Sequence, residues 1–398
     1  MSSTDEAVAD LAARLAQFNI YADDTPYVTD ELFEHARAKC PVPHSSANGG
    51  YHLITRYDDV RSVLTNDAVF SSTGGKSVPS HQPLVMPPID VDPPVHNDYR
   101  RLLNKYFSKA GLAKTEDAVR AIARQLVDGF VDTGELDVLE QYATPLTSAT
   151  LCKVILNLDD EELTRTATGR VEAIGAANQA EAWVELTGFL TELMKSHQPT
   201  SADNVLDAVI QGQVQGRPLT DQEKLGVVVV LFLGGLDTTR AAISCIVGHL
   251  VQNPDLEKRL RDPDWVKHDL DEFLRLDSVV TALARTVTTD TELGGTRLHA
   301  GDRLLVHYYS ANHDSSRFDN ADRLDFSRQS NPHVAFGVGV HRCLGSNLAR
   351  LQIRVAFDEL LSRVENIRLA DDAVPLQFAP GISRMPTNLR VRFDKRNA

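Results

Sequence analysis

Residues 333–353, HVAFGVGVHRCLGSNLARLQI, carry the pattern F-G-x-G-x-H-x-C-x-G in Phe336, Gly337, Gly339, His341, Cys343 and Gly345, and run straight into a helical repeat of apolar side chains. Glycines let a backbone approach a sulfur atom closely. A helix that begins just after the cysteine sets its free N–H groups and positive dipole end beside the sulfur, which favours a thiolate. A lone cysteine is most often a buried, inert thiol, and that is the expectation for Cys40, Cys152 and Cys245, none of which sits in a C-x-x-C or other zinc-like spacing. Cys343, in this loop, is expected to be a ligand.

Upstream, Thr220 and Glu223 form an S/T-x-x-E capping box, and nothing stops the helix it starts before Pro254. The spacing predicts a helix of roughly 30 residues, about 45 Å long. Its middle, VVVVLFLGGLDTTRAAI, is apolar on every side and so belongs in a core. Gly234, Gly235, Asp237, Thr238 and Thr239 are costly there, because helical glycine costs about 1 kcal/mol relative to alanine and a buried carboxylate needs a partner or a task. Close packing with an incidental polar cluster is one reading. A local helix opening that admits a ligand, with Asp237 and Thr238 supplying protons, is the other.

The rest of the chain sets the frame. It has 398 residues, 42% hydrophobic and 24% charged, which excludes a disordered, collagen-like or small disulfide-stapled protein. With 41 Lys and Arg against 55 Asp and Glu, the net charge of −14 disfavours general affinity for nucleic acid or anionic lipid. Four scattered cysteines suit a reducing, cytoplasmic setting. The longest apolar run, 225–236, is too short to span a bilayer, so no membrane partner is expected. Helical periodicity dominates 94–280 and 344–364. Strand-like segments are few: 51–56, 285–289, 303–307 and 389–393. Two long irregular stretches, 71–94 and 317–332, are of the kind that cover a site.

Taken together, these motifs resemble the cytochrome P-450 family, its soluble bacterial, camphor-hydroxylating type in particular, over about residues 25–394. Glu272 and Arg275 stand as in the E-x-x-R helix. Arg323, in NADRLDF, stands at the arginine of the meander, with Ala321 and Leu324 where Pro and Phe are usual. VDPPVHNDYRRL, 91–102, is similar to the helix at the heme edge, and GGLDTT, 234–239, to the oxygen-activating helix. The resemblance implies a mainly α fold with small β-sheets. It would be a single triangular-prism domain over 26–398, with a loosely ordered extension over 1–25. The cofactor would be heme b, iron protoporphyrin IX, lying between the long central helix and the Cys343 loop.

Carried over residue by residue, the resemblance makes Cys343 the axial iron ligand. His96, Arg100, Arg285 and His341 would bind the propionates, Phe336 and Gly337 would lie near the thiolate, and Gly235 beside Gly234 would open the oxygen side. Glu272, Arg275 and Arg323 would form a buried structural ion network. Asp237 and Thr238 are the proton-delivering pair; Thr239 bonds back to the helix, and Arg240 either pairs with Asp237 or faces solvent, the second being slightly favoured. The pocket lining would come from Leu84, Val85, Met86, Val230, Leu233, Gly235, Val279, Val280, Thr281, Ile382 and Ser383. This mostly aliphatic set suits a terpenoid, steroid or small aromatic. Leu84 stands near where the camphor type offers a tyrosine hydroxyl, which weakens the case for camphor itself.

No flavin or iron–sulfur motif is present, so electrons from NAD(P)H would arrive through a separate reductase and ferredoxin. An acidic ferredoxin would be steered by Arg100, Arg101, Lys105, Lys109 and Arg342 to a monomeric enzyme. Two rival readings of the same residues are a peroxide-driven peroxygenase and a heme-thiolate protein that binds a ligand without turnover. The Asp237–Thr238 pair favours O2, since peroxide already carries the protons that the pair would supply.

Overall fold

The computed structural model describes residues 3–80, 84–174, 179–199 and 204–396. The helices that position the site are α1 (Ser3–Ala16), α2 (Val95–Phe107), α3 (Glu116–Phe130), α4 (Glu161–Ala173), α5 (Asp221–Gln252), α6 (Leu270–Asp277) and α7 (Ser346–Arg363). Helix α5 opens on the expected capping box: Thr220 Oγ1 accepts from Glu223 N at 3.2 Å, and Thr220 N donates to Glu223 Oε2 at 2.7 Å. It runs 32 residues and ends before Pro254. Its first half (Val227, Val228, Val229, Phe232, Leu236) packs with Tyr99 and Leu103 of α2. Its second half (Ile243, Ile246, Val247, Leu250) packs with α3, α6 and α7. The polar stretch 234–240 falls where the two cores meet. By length and composition α5 could cross a membrane, yet 61% of its most apolar stretch is buried inside this protein.

The larger sheet holds β1 (His44–Ser45), β2 (Tyr51–Ile54), β3 (Phe70–Ser71), β4 (Ala282–Val287) and β5 (Arg303–His307), in the order β1-β2-β5-β4-β3. Only the β2–β5 pair is parallel, with Leu53 opposite Leu305. Each of the four expected strand segments overlaps a strand, the last being Arg390–Lys395. The unforeseen strands are mostly two or three residues long, such as Gln213–Val214 with Arg217–Pro218.

Part of the segment expected to be loosely ordered is packed. Leu15, Phe18 and Ile20 are buried against Leu32, Phe33, Tyr51 and Leu53. The Tyr51 hydroxyl donates to the Phe18 carbonyl at 2.5 Å, and burial pushes its pKa up to about 12. The periodicity of 1–25 was too weak to show this, because its partners lie on a distant sheet.

Candidate active site

The Cys343 loop is fixed by its glycines. Gly337 and Gly339 have φ of +63° and +75°. A Cβ on Gly339 would also lie 2.2 Å from the Leu64 carbonyl oxygen, so no other residue fits there. Cys343 N donates to the Phe336 carbonyl at 2.8 Å, closing the loop just before α7 begins at Ser346. The Phe336 ring is capped by Arg350, whose guanidinium lies 4.6 Å from the ring centre.

The four cysteines differ. Cys152 and Cys245 are buried, and burial raises the Cys152 thiol to about 11 and Cys245 well above its ordinary value. Cys40 is exposed, contrary to expectation, at the end of a helix where the chain turns toward the sheet. Cys343 is accessible, as a ligand to a bound group must be. Burial raises its pKa, while the Gly345 N–H and then Arg100, Arg342 and Arg350 pull it down.

Four basic side chains from three separate segments gather beside it. The His96 and His341 ring centres are 4.4 Å apart. Burial, Arg285, His96 and Arg100 push the His341 pKa down to about 3, and burial is also the first cause of the lowered His96 value. His96 Nε2 is buried with no hydrogen-bond partner, while buried Arg285 donates to the neighbouring Ala284 carbonyl at 2.8 Å and also bonds the Tyr308 hydroxyl. His341 Nε2 shares a 3.0 Å hydrogen bond with Ser72 Oγ and lies 3.9 Å from Asp92. Mutual repulsion and the unpartnered His96 Nε2 make this cluster a fit for carboxylates brought by a ligand, as heme propionates would be.

Across α5, Thr238 Oγ1 donates to the Gly234 carbonyl at 2.9 Å, and the helix is continuous rather than locally opened. Of the two readings of Arg240, the structure shows the pairing and not the solvent-facing one: its Nη2 lies 3.1 Å from Asp237 Oδ1, and its Nη1 bonds Glu172 on α4. Burial raises the Asp237 pKa, Arg240 and Lys76 lower it, and Glu172 raises it. The two glycines have different tasks. A Cβ on Gly234 would meet nothing within 4 Å, whereas one on Gly235 would lie 3.1 Å from the Leu151 side chain. Gly234 therefore presents the open face, and Gly235, expected there, is a close-packing position against Leu151.

The ion network holds with one exchange. Arg275 grips Glu272 through two bonds of 2.8 and 2.9 Å and donates to the carbonyls of Asn312, Ala321 and Arg323. The second arginine is Arg328, with Nε 3.1 Å from Glu272 Oε2. The Arg323 side chain, expected in that place, is exposed and bonds Asn320; only its carbonyl joins the network. The meander lacks a regular period, so sequence alone could not decide which arginine turns inward.

Among the expected lining residues, Val230 and Leu233 lie half-buried on α5. Val280 bridges Ser383, and Thr281 N donates to the Ile382 carbonyl at 2.9 Å, so these two segments form one wall. Val279 packs against the α3–α5–α7 core and Leu84 against the α2–α5 core. Two expectations fail. Val85 is 60% exposed, and Met86 is fully buried under α5 where Gly226 lets the chain approach. A groove of about 920 Å³ beside the meander, lined by Lys258, Trp265 and Phe326 among others, contains none of the expected cofactor or substrate residues. Sequence reasoning missed Ser72, Lys76, Asp90, Leu151, Glu172 and Arg350, which carry no local pattern.

Comparison with known proteins gives a consistent result. The family described as Cytochrome P450 matches residues 177–262 and 266–393. The chain is similar to steroid C26-monooxygenase of Mycolicibacterium smegmatis (30% identity over 370 residues, 89% of this chain and 91% of that protein). It is also similar to linalool 8-monooxygenase of Pseudomonas putida (29% over 385 residues, 88% and 92%). The solved structure of cytochrome P450 CYP109Q5 from Chondromyces apiculatus superposes with a TM-score of 0.83 at 26% identity, covering 96% of this chain and all of that one.

Proposed function

The chain belongs to the cytochrome P450 family and is a cytochrome P450 monooxygenase. From that premise we propose that Cys343 would hold heme b through its thiolate and that the enzyme inserts one oxygen atom from O2 into a hydrophobic skeleton of terpenoid or steroid type. One observation carries the reading: the accessible, cation-flanked Cys343 stands beside a cluster of His96, Arg100, Arg285 and His341, in which the buried His96 Nε2 has no partner and the surplus of basic groups calls for a carboxylate.

When bound, the heme supplies the activation of O2, helped by electron push from the thiolate. The chain's own residues do the rest. The Gly345 N–H and the three arginines oppose the burial that raises the Cys343 pKa, and would support its thiolate once iron is bound. His96, Arg100, Arg285 and His341 fix the propionates. Asp237, released from Arg240, carries a proton from solvent to Thr238 Oγ1, whose bond to the Gly234 carbonyl aims it at the open face. Val230, Leu233 and the Val280–Thr281 wall exclude water around the substrate. The names of the two relatives, one acting on steroids and one on linalool, and this aliphatic lining support the substrate class.

Electrons come from a separate ferredoxin docking at the basic face around α2 and the cysteine loop. Arg101, Lys105, Lys109 and Arg342 are exposed there, with Arg101 tied to Asp98 at 2.7 Å. Arg100 is half-buried and belongs to the propionate set instead. Charge reversal at Lys105 and Lys109 should slow reduction by ferredoxin and flatten its salt dependence.

The test of the reaction is turnover of a steroid and terpenoid panel with ferredoxin, reductase and isotopically labelled O2. One labelled oxygen atom in the product is the expected result. Product formed only with added hydrogen peroxide would establish the peroxygenase reading in its place.

A further inference from the structure

Beside the proton-delivering stretch of α5 runs a helix that the mechanism does not use. It spans 139–155 and is α-helical only over Thr144–Ala149; the segments on either side, Leu139–Ala143 and Thr150–Ile155, are π-helical. Their bonds reach back five residues, from Thr144 N to the Leu139 carbonyl and from Leu156 N to the Leu151 carbonyl at 2.9 Å. Such widened turns are rare and gather at functional sites, where the extra residue rotates the side chains that follow about the helix axis.

This helix bridges the two cores whose junction holds residues 234–240. Ala143 and Leu146 share the core of Ile243 and Ile246 of α5, while Leu151 and Cys152 share that of Phe232 and Leu236. It is anchored from behind. The hydroxyl of buried Tyr142 donates at 2.6 Å to the Ala356 carbonyl of α7, the helix that follows Cys343. Two of its contacts with α5 straddle Asp237 and Thr238. On one side the buried Leu151 side chain fills the notch at Gly235, where a Cβ would lie 3.1 and 3.2 Å from its two methyl groups. On the other side Arg240 Nη1 donates to Thr144 Oγ1 at 3.4 Å, while its Nη2 holds Asp237.

We propose that Leu151 is a positioning residue for proton delivery: seated in the notch at Gly235, on a helix tied to α7 through Tyr142, it fixes the stretch of α5 that carries Asp237 and Thr238 relative to the Cys343 side of the site. The inference rests on the proton-delivering role proposed above for that pair. A packed interior cannot absorb an added methyl group without moving something. Bulk added on either side of the notch therefore displaces α5, and a displacement of about 1 Å is enough to cost a reaction about 10²-fold. Glycine at 235 is required by leucine at 151, and a smaller residue at 151 makes room for alanine at 235.

A double-mutant cycle on the heme-loaded enzyme tests this. Gly235→Ala, Leu151→Ala, the two together, Leu151→Phe and Thr238→Ala are compared by product formed per NAD(P)H consumed. The substrate is the steroid or terpenoid of the panel that is oxidised fastest. Urea unfolding of the same variants gives a readout apart from turnover. Gly235→Ala and Leu151→Phe should each lower the product ratio about tenfold or more, with the thiolate-type CO band retained. The double variant should recover most of that loss, and its two substitutions should cost less stability together than the sum of their separate costs. Should Gly235→Ala not load heme, Leu151→Phe supplies the ratio, and regained heme in the double variant is the recovery. A ratio unchanged in Gly235→Ala, no recovery in the double variant, or additive unfolding costs would overturn the proposal. A ratio unchanged in Thr238→Ala would overturn the proton-delivery reading, and the inference with it.

Discussion

Arg240 Nη2 lies 3.1 Å from Asp237 Oδ1 one turn away on α5, and the same guanidinium reaches Glu172 on α4. The carboxylate that would deliver protons is thus tied to the cation that links two helices. Asp237→Asn should lower kcat by about 10²–10⁴, the usual worth of a general acid–base group, with heme loading intact. Burial raises the Asp237 pKa and Arg240 pulls it down, so Arg240→Leu should let it rise further. The acidic limb of the kcat–pH profile should then move upward in pH. An unmoved limb would separate Arg240 from the relay.

Thr238 donates its hydroxyl to the Gly234 carbonyl, a bond back along the helix that adds little to stability. Thr238→Ala should therefore keep the melting temperature and the rate of NAD(P)H consumption while diverting electrons to hydrogen peroxide. The ratio of product to NAD(P)H consumed measures this. A ratio unchanged from wild type would remove Thr238 from proton delivery.

Glu272 is held by Arg275 and Arg328, and all three are at least nine-tenths buried. Arg328→Ala leaves part of a buried carboxylate unanswered and should cost about 3–5 kcal/mol, read as lost stability and lost heme. Arg323→Ala touches an exposed side chain and should stay within about 0.5 kcal/mol. Urea unfolding of both variants distinguishes the two arginines.

His307 is buried beside Phe33, with ring centres 4.1 Å apart, and its Nδ1 accepts from Ser310 N at 3.3 Å. Burial first, then Arg37 and His313, hold its pKa down at about 3. In the unfolded chain a histidine titrates near about 6.5, so the unfolded state binds the extra proton as pH falls. The stability that His307 contributes is full above that value and is lost as pH drops toward about 3. Between about pH 7 and about pH 5 the loss should be about 2 kcal/mol. His307→Asn, which keeps an acceptor for Ser310 N, should flatten the stability–pH curve in that window.

Much of the frame was legible because its signals are local. Thr220, Glu223 and Pro254 bracket α5 within the sequence itself, and Phe336–Gly345 is a contiguous loop in which Gly337 and Gly339 have positive φ. The basic cluster was legible only through resemblance, since His96, Arg285 and His341 come from three separate segments. What stayed hidden depends on side-chain direction where no period exists. Arg328 rather than Arg323 turns toward Glu272, and Gly234 rather than Gly235 faces open space. The short strand pairs were hidden for a related reason: two or three residues carry no alternation to recognise, and β2 pairs with β5 across some 250 residues of chain.

The central claim is that Cys343 alone supplies a thiolate to heme. The reduced CO difference spectrum of the wild type and of Cys343→Ser tests it most directly. The wild type should show the strongly red-shifted Soret band of thiolate-ligated heme, Cys343→Ser should lose it, and Cys40→Ser should keep it. A wild type without that band, or a Cys343→Ser variant that retains it, would contradict the account.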